Sequence, residues 1–252
     1  MALAKIQTVR GCAGEAPVLN TLLFGLVASS ALVIGGVIGA YWRPPDRLVA
    51  VALAFASGAL VTALATDLFV EPFRAGGALF AGIGLLAGAA TFVVADGLLD
   101  RHIQGVGGSV SGFAILAGVI LDGIPENMAL GVSLLQTSWT GALALLVAIF
   151  ASNLPEALGG AVSMRDQGRT SGFAIAVWAV TTVVLAVAVV VGNAALSGVG
   201  EEPLSVLLAF AGGAVLASLA DTLMPDAYRE GGKPVAFATA AGFFVSFVIS
   251  EL

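Results

Sequence analysis

Two short stretches hold most of the chemistry open to this chain: Asp122-Gly123-Ile124-Pro125-Glu126-Asn127 and Ser152-Asn153-Leu154-Pro155-Glu156-Ala157. Asp122 and Glu126 are four residues apart, as are Ser152 and Glu156, so each pair shares one helical face. Pro125 and Pro155 each remove a backbone N–H and push away the carbonyl four residues earlier, on Leu121 and Ala151. Asn127 and Asn153 add amide oxygens nearby. Brought face to face, the two stretches make a cage of carboxylate, amide, hydroxyl and freed carbonyl oxygens, which suits a divalent cation. The side-chain donors are all oxygen, a set that favours Mn²⁺, Mg²⁺ or Ca²⁺, whereas imidazole favours Zn²⁺. Zinc also accepts carboxylates, so it stays a candidate.

The setting of these acids gives them weight. Of 252 residues 59% are hydrophobic and 10% charged, against about 25% charged in an ordinary soluble domain. Asp67, Glu71, Asp96, Asp122, Glu126, Glu156, Asp221 and Asp226 lie within or at the edge of apolar stretches, and no Lys or Arg lies inside one. A carboxylate in hydrocarbon costs several kcal/mol unless it pairs, protonates or meets a cation. Asp122, Glu126 and Glu156 are therefore expected to bind cations or hold protons; neutral acids hydrogen-bonded between helices are the competing reading. Glu71, Asp96 and Asp226 fit solvated helix ends.

The elements that must position these groups are membrane helices. Eight apolar stretches approach or reach the roughly 20 residues a span needs: Val18–Trp42, Leu48–Val70, Gly77–Ala95, Gly112–Gln136, Trp139–Met164, Gly172–Leu196, Leu204–Met224 and Val235–Ile249. They show no period-2 alternation, so an all-α polytopic membrane protein is expected, one transmembrane domain over residues 1–252. The first stretch, lacking a charged segment before it, reads as a retained helix rather than a signal peptide. Small residues four apart, Gly35/Gly39 and Gly84/Gly88, allow close helix packing. Arg43, Arg47, Arg101, Arg165, Arg169, Arg229 and Lys233 fall on one side and Lys5, Arg10 and Arg74 on the other. That bias puts the larger group inside and both termini outside, in a plasma (inner) membrane.

An internal repeat adds an architecture. Ala54-Phe55-Ala56-Ser57-Gly58-Ala59 of the second stretch matches Ala209-Phe210-Ala211-Gly212-Gly213-Ala214 of the seventh, and without gaps Leu64-Ala65, Leu68 and Glu71 fall opposite Leu219-Ala220, Leu223 and Asp226. The two stretches cross in opposite directions. This gives a 3+2+3 arrangement, an inverted repeat flanking a central pair, as in secondary transporters.

With these motifs the chain resembles the ZIP (Zrt-, Irt-like) family of divalent metal transporters. The family's fourth helix reads His-Asn-x-Pro-Glu-Gly, where this chain has Asp122 through Asn127, and the Pro-Glu step recurs at Pro155-Glu156. The resemblance implies Glu126 and Glu156 as core ligands and Asp122 as a third, with Ser152, Asn153 and Asn127 as helpers. Asp67, Asp221, Asp226, Pro125 and Pro155 would support the ligands or line the ion's pathway. It also implies import by alternating access, a divalent metal (Zn, Mn, Fe, Mg or Ca) as substrate rather than prosthetic group, and a homodimer. The chain departs from the pattern in several places. Asp122 and Ser152 replace histidines, Gly123 replaces an asparagine, and Asp221 replaces the histidine of a His-Glu-x-x-Pro-Glu segment. The sixth stretch offers only Asn193, and the inner loop Asp96–Ser111 holds only His102.

Other classes fit less well. A net charge of −6 disfavours a nucleic-acid partner, leaving the lipid bilayer and the ion. Cys12 is the single cysteine and His102 the single histidine, which excludes an intrachain disulfide and a His-Glu-x-x-His hydrolase. No phosphate-binding Gly-rich loop is present. An enzyme is not expected; a cation channel, or a ZIP-like fold that has lost transport, is the alternative.

Overall fold

The structure, a computed structural model, describes residues 18–106, 111–136 and 142–251. The side chains of Glu71, Asp100, residues 102–106, residues 111–115, Asp122, Gln136 and Glu201 also lie outside the described set, as do Lys5, Arg10 and Cys12. Every described element is helical. In chain order they are α1 (Val18–Tyr41); α2 (Asp46–Ala63), running on as a π-helical segment (Leu64–Val70); α3 (Glu71–Val106); α4 (Ser111–Gln136); α5 (Leu143–Asp166); and α6 (Ser171–Leu196). Then come α7 (Glu201–Ser218), which passes through a second π-helical segment (Leu219–Leu223) into Met224–Gly231, and α8 (Val235–Ser250).

Among the described residues seven helices are long and apolar enough to cross a membrane, so the chain has the make-up of a multi-pass membrane protein. The expected eighth stretch is helical but has 16 residues, about 24 Å at 1.5 Å per residue. The expected third span was Gly77–Ala95, but α3 is longer at both ends. Gly77, at φ 77°, breaks the backbone where the apolar pattern begins, and Glu71–Gly76 stacks ahead of it as helix. At the other end polar turns carry the helix past the apolar stretch. Trp139, the expected start of the fifth span, lies outside the described residues; α5 is seen from Leu143 and runs two residues past Met164. Glu126 and Glu156 thus each stand ten residues before the end of their helix, at Gln136 and Asp166.

Helices α1, α4, α5 and α6 pack on one another, and so do α2, α3, α7 and α8. The two sets meet chiefly where α2 lies on α5 and α4 on α7. Glycine sets the closest crossings. A Cβ on Gly58 would overlap the Thr239 carbonyl of α8, and one on Gly242 the Phe55 carbonyl of α2. The α3–α7 crossing repeats this: Gly88 meets the Phe210 carbonyl and Gly213 that of Leu85. Gly35 and Gly39 admit the Leu154 and Leu158 carbonyls of α5 in the same way. In α1, α4 and α6 polar groups finish the packing. Thr182 Oγ1 donates to the Ser29 carbonyl (3.1 Å), and Asn193 Nδ2 to that of Gly131 (2.9 Å).

Candidate cation site

Both Pro-Glu helices run unbroken through their prolines, and their carboxylates meet at one place. A void of about 10 Å³, room for a single water-sized species, is lined by Glu126 of α4, Ser152 and Glu156 of α5, Leu60 of α2, and Val215, Ser218, Leu219 and Leu223 of α7. Glu126 is 5% exposed, Ser152 and Ser218 2% each. Ser152 Oγ donates to the Ile149 carbonyl at 3.0 Å, which turns its proton away and leaves the oxygen's acceptor capacity. The polar lining is thus two carboxylates and two hydroxyls, with an apolar wall of leucines and valine opposite.

The other expected site residues are distributed around this centre. Asp122 lies on α4 one turn before Glu126, with its side chain outside the described set. Asn127 is fully buried, but one helical step, about 100°, turns it away from Glu126. Its Oδ1 accepts from Ser29 Oγ of α1 (3.4 Å) and its Nδ2 donates to the Gly123 carbonyl (2.8 Å). Asn153 is 2% exposed, and its Nδ2 has no hydrogen-bond partner among the described residues. Asp67 is half-buried in the first π-helical segment and Asp221 exposed on the second; neither lines the void. Among the described residues no three His, Cys, Asp or Glu side chains converge.

Below the void a larger cleft, of about 250 Å³, opens at the end of the bundle where the α1–α2, α5–α6 and α7–α8 connections meet. Gly159, Val162, Ser163 and Asp166 line it, continuing the helical face of Ser152 and Glu156 along α5. Asp46, Val49, Ala50 and Leu53 continue the face of Leu60 along α2. Ion pairs sit at its rim: Arg43 to Asp166 at 3.4 Å and Arg229 to Asp226 at 3.0 Å. Asp226 is therefore engaged by an arginine at the mouth rather than at the centre. On the opposite side of the glutamates the bundle is closed by apolar packing that includes Leu68, Val132, Leu145, Ile149, Leu204 and Leu208.

Sequence reasoning missed Ser218 and the apolar wall from α2 and α7. The repeat between those helices was the available signal, since it marks them as a pair working on the central helices. No protein-family model matches the chain, and no curated protein matches it either.

Proposed function

We propose that the chain is a divalent-cation carrier of the ZIP type, an importer in a plasma (inner) membrane that works by alternating access. The observation that carries this reading is the pair of glutamates, Glu126 buried and Glu156 partly buried, that line one void of about 10 Å³ above an open cleft. Two carboxylates that line one small void in an apolar surrounding repel one another and favour a cation or a proton between them. The hydroxyls of Ser152 and Ser218 complete an all-oxygen set suited to a hard divalent ion. Eight spans in a 3+2+3 inverted repeat are part of the proposal. The matched glycine crossings of α2 on α8 and α7 on α3 support it, and so do π-helical segments beginning at Leu64 and at Leu219.

The test is uptake by purified protein in liposomes. Mn²⁺ or Zn²⁺ entry is expected to saturate with concentration. Flux that rises linearly indicates a channel, and flux no greater than that of empty liposomes ends the transport reading.

The repeat also supports a definite alternate state. It sets Val49 and Leu53 of the open cleft opposite Leu204 and Leu208; the central helices likewise set Gly159, Val162 and Ser163 opposite Ala129, Val132 and Ser133. The cleft residues are partly exposed, whereas all five counterparts are buried, none more than 6% exposed. Exchange of the two halves' conformations would close the inner cleft and open an outer one between α4 and α7. In a Cys12→Ser background, Val162→Cys should react with an impermeant maleimide from the inner side only. Val132→Cys should react slowly from the outer side. Adding Gly159→Trp, at a position where a Cβ meets open space, fills the inner cleft and should speed that reaction several-fold. Absence of outer labelling in both backgrounds would remove the alternate state.

A further inference from the structure

We propose that Ser218 determines ion preference at this site, as the one hydroxyl that the α2/α7 wall offers to the bound ion. The inference rests on the cation-carrier reading and adds to it a residue from the opposite set of helices. Glu126, Ser152 and Glu156 come from α4 and α5; of the lining residues on α2 and α7, Leu60, Val215, Leu219 and Leu223 are apolar and Ser218 alone is polar. A serine hydroxyl carries two acceptor lone pairs beside its one proton. Thr222 Oγ1 donates to the Ser218 carbonyl at 2.7 Å. The two hydroxyl oxygens lie 3.4 Å apart, and either can be the donor between them.

The position is also distinguished within the repeat. Ser218 is opposite Ala63, while the residues that follow, Leu219-Ala220 and Leu64-Ala65, are identical. The hydroxyl is thus an asymmetric addition to an otherwise matched wall, placed at the last residue before α7 changes to π-helical winding. π-Helical turns inside α-helices are frequent at functional sites. A hydroxyl oxygen is a hard donor. It contributes most to ions that demand many oxygen ligands, such as Mn²⁺ and Ca²⁺, and least to Zn²⁺, which is satisfied by four.

Competition binding of Mn²⁺ and Zn²⁺ to the purified full chain at fixed pH tests this. Ser218→Ala is expected to weaken Mn²⁺ about tenfold and Zn²⁺ by no more than about threefold, values in the range of one lost ligand interaction. Ser218→Thr, which keeps the hydroxyl, is expected to retain the wild-type Mn²⁺/Zn²⁺ ratio within about twofold. The proposal is overturned if Ser218→Ala leaves that ratio unchanged, or if Ser218→Thr shifts it as far as alanine does. Failure of the wild-type protein to bind either ion would instead overturn the carrier reading on which the inference stands.

Discussion

Glu126→Gln and Glu156→Gln are each expected to lose divalent-ion binding and uptake while folding normally. Glutamine keeps the shape of the side chain and an oxygen toward the void, but removes the charge that balances the ion. Stripping one partner from a buried charge cluster costs about 3 kcal/mol or more, which is roughly a hundredfold in affinity. Replacement also leaves the remaining carboxylate without its like-charged neighbour, so an empty site costs the single variants less than it costs the wild type. Asp226→Asn provides the contrast. Asp226 is paired with Arg229 at the cleft rim, where both side chains are at least half-exposed, and exposed ion pairs contribute little. Its uptake should remain within a few-fold of wild type. Isotope uptake at matched expression, with binding to purified protein alongside, reads both effects. Wild-type uptake by either glutamine variant would remove that glutamate from the site.

The second large effect is on folding. Gly58→Ala and Gly213→Ala should each lower the thermal midpoint of the detergent-solubilised protein markedly. The added methyl overlaps a backbone carbonyl, that of Thr239 or of Leu85, and backbone cannot move aside as a side chain does. Two helices must separate, at a cost of about 1–3 kcal/mol or more for overpacking. Gly82→Ala is the control: its Cβ meets nothing within 4 Å, and alanine there gains helix propensity of up to about 1 kcal/mol. If Gly58→Ala proves as stable as Gly82→Ala, the α2–α8 crossing is not as tight as described.

Local pattern accounts for what could be read in advance. Proline four residues after a free carbonyl and next to a glutamate is a feature of one helical turn, and its recurrence picked out Glu126 and Glu156 without tertiary information. Long apolar runs likewise gave the helices, with boundary errors where polar turns extend α3 toward Val106 and where Gly77 kinks its start. Asn127 shows the limit of adjacency. It stands beside Glu126 in sequence, yet the helical rotation sends it to Ser29 of α1. Ser218 was hidden for a different reason. One serine in an Ala/Leu/Gly-rich helix carries no pattern, and its meeting with the glutamates is set by how α7 lies on α4 and α5. The π-helical winding of Leu64–Val70 and Leu219–Leu223 is also tertiary in origin, since i→i+5 bonding is not a preference of those residue types.

The length of α8 bears on the protein's relation to its lipid. In the eight-span reading this helix, about 24 Å long, must serve a hydrocarbon layer about 30 Å thick. It cannot lean away from the problem, because a short helix tilts itself shorter still, and Gly242 locks it against α2 at backbone distance. The bilayer must yield instead, thinning around Val235–Ser250 at a cost of fractions of a kcal/mol per Å. Since α8 packs against α2, whose Leu60 lines the void, acyl-chain length in that reading becomes a variable that acts on the proposed ion site from outside the protein. Thin membranes favour the arrangement seen here, and thick ones load the α2–α8 pair.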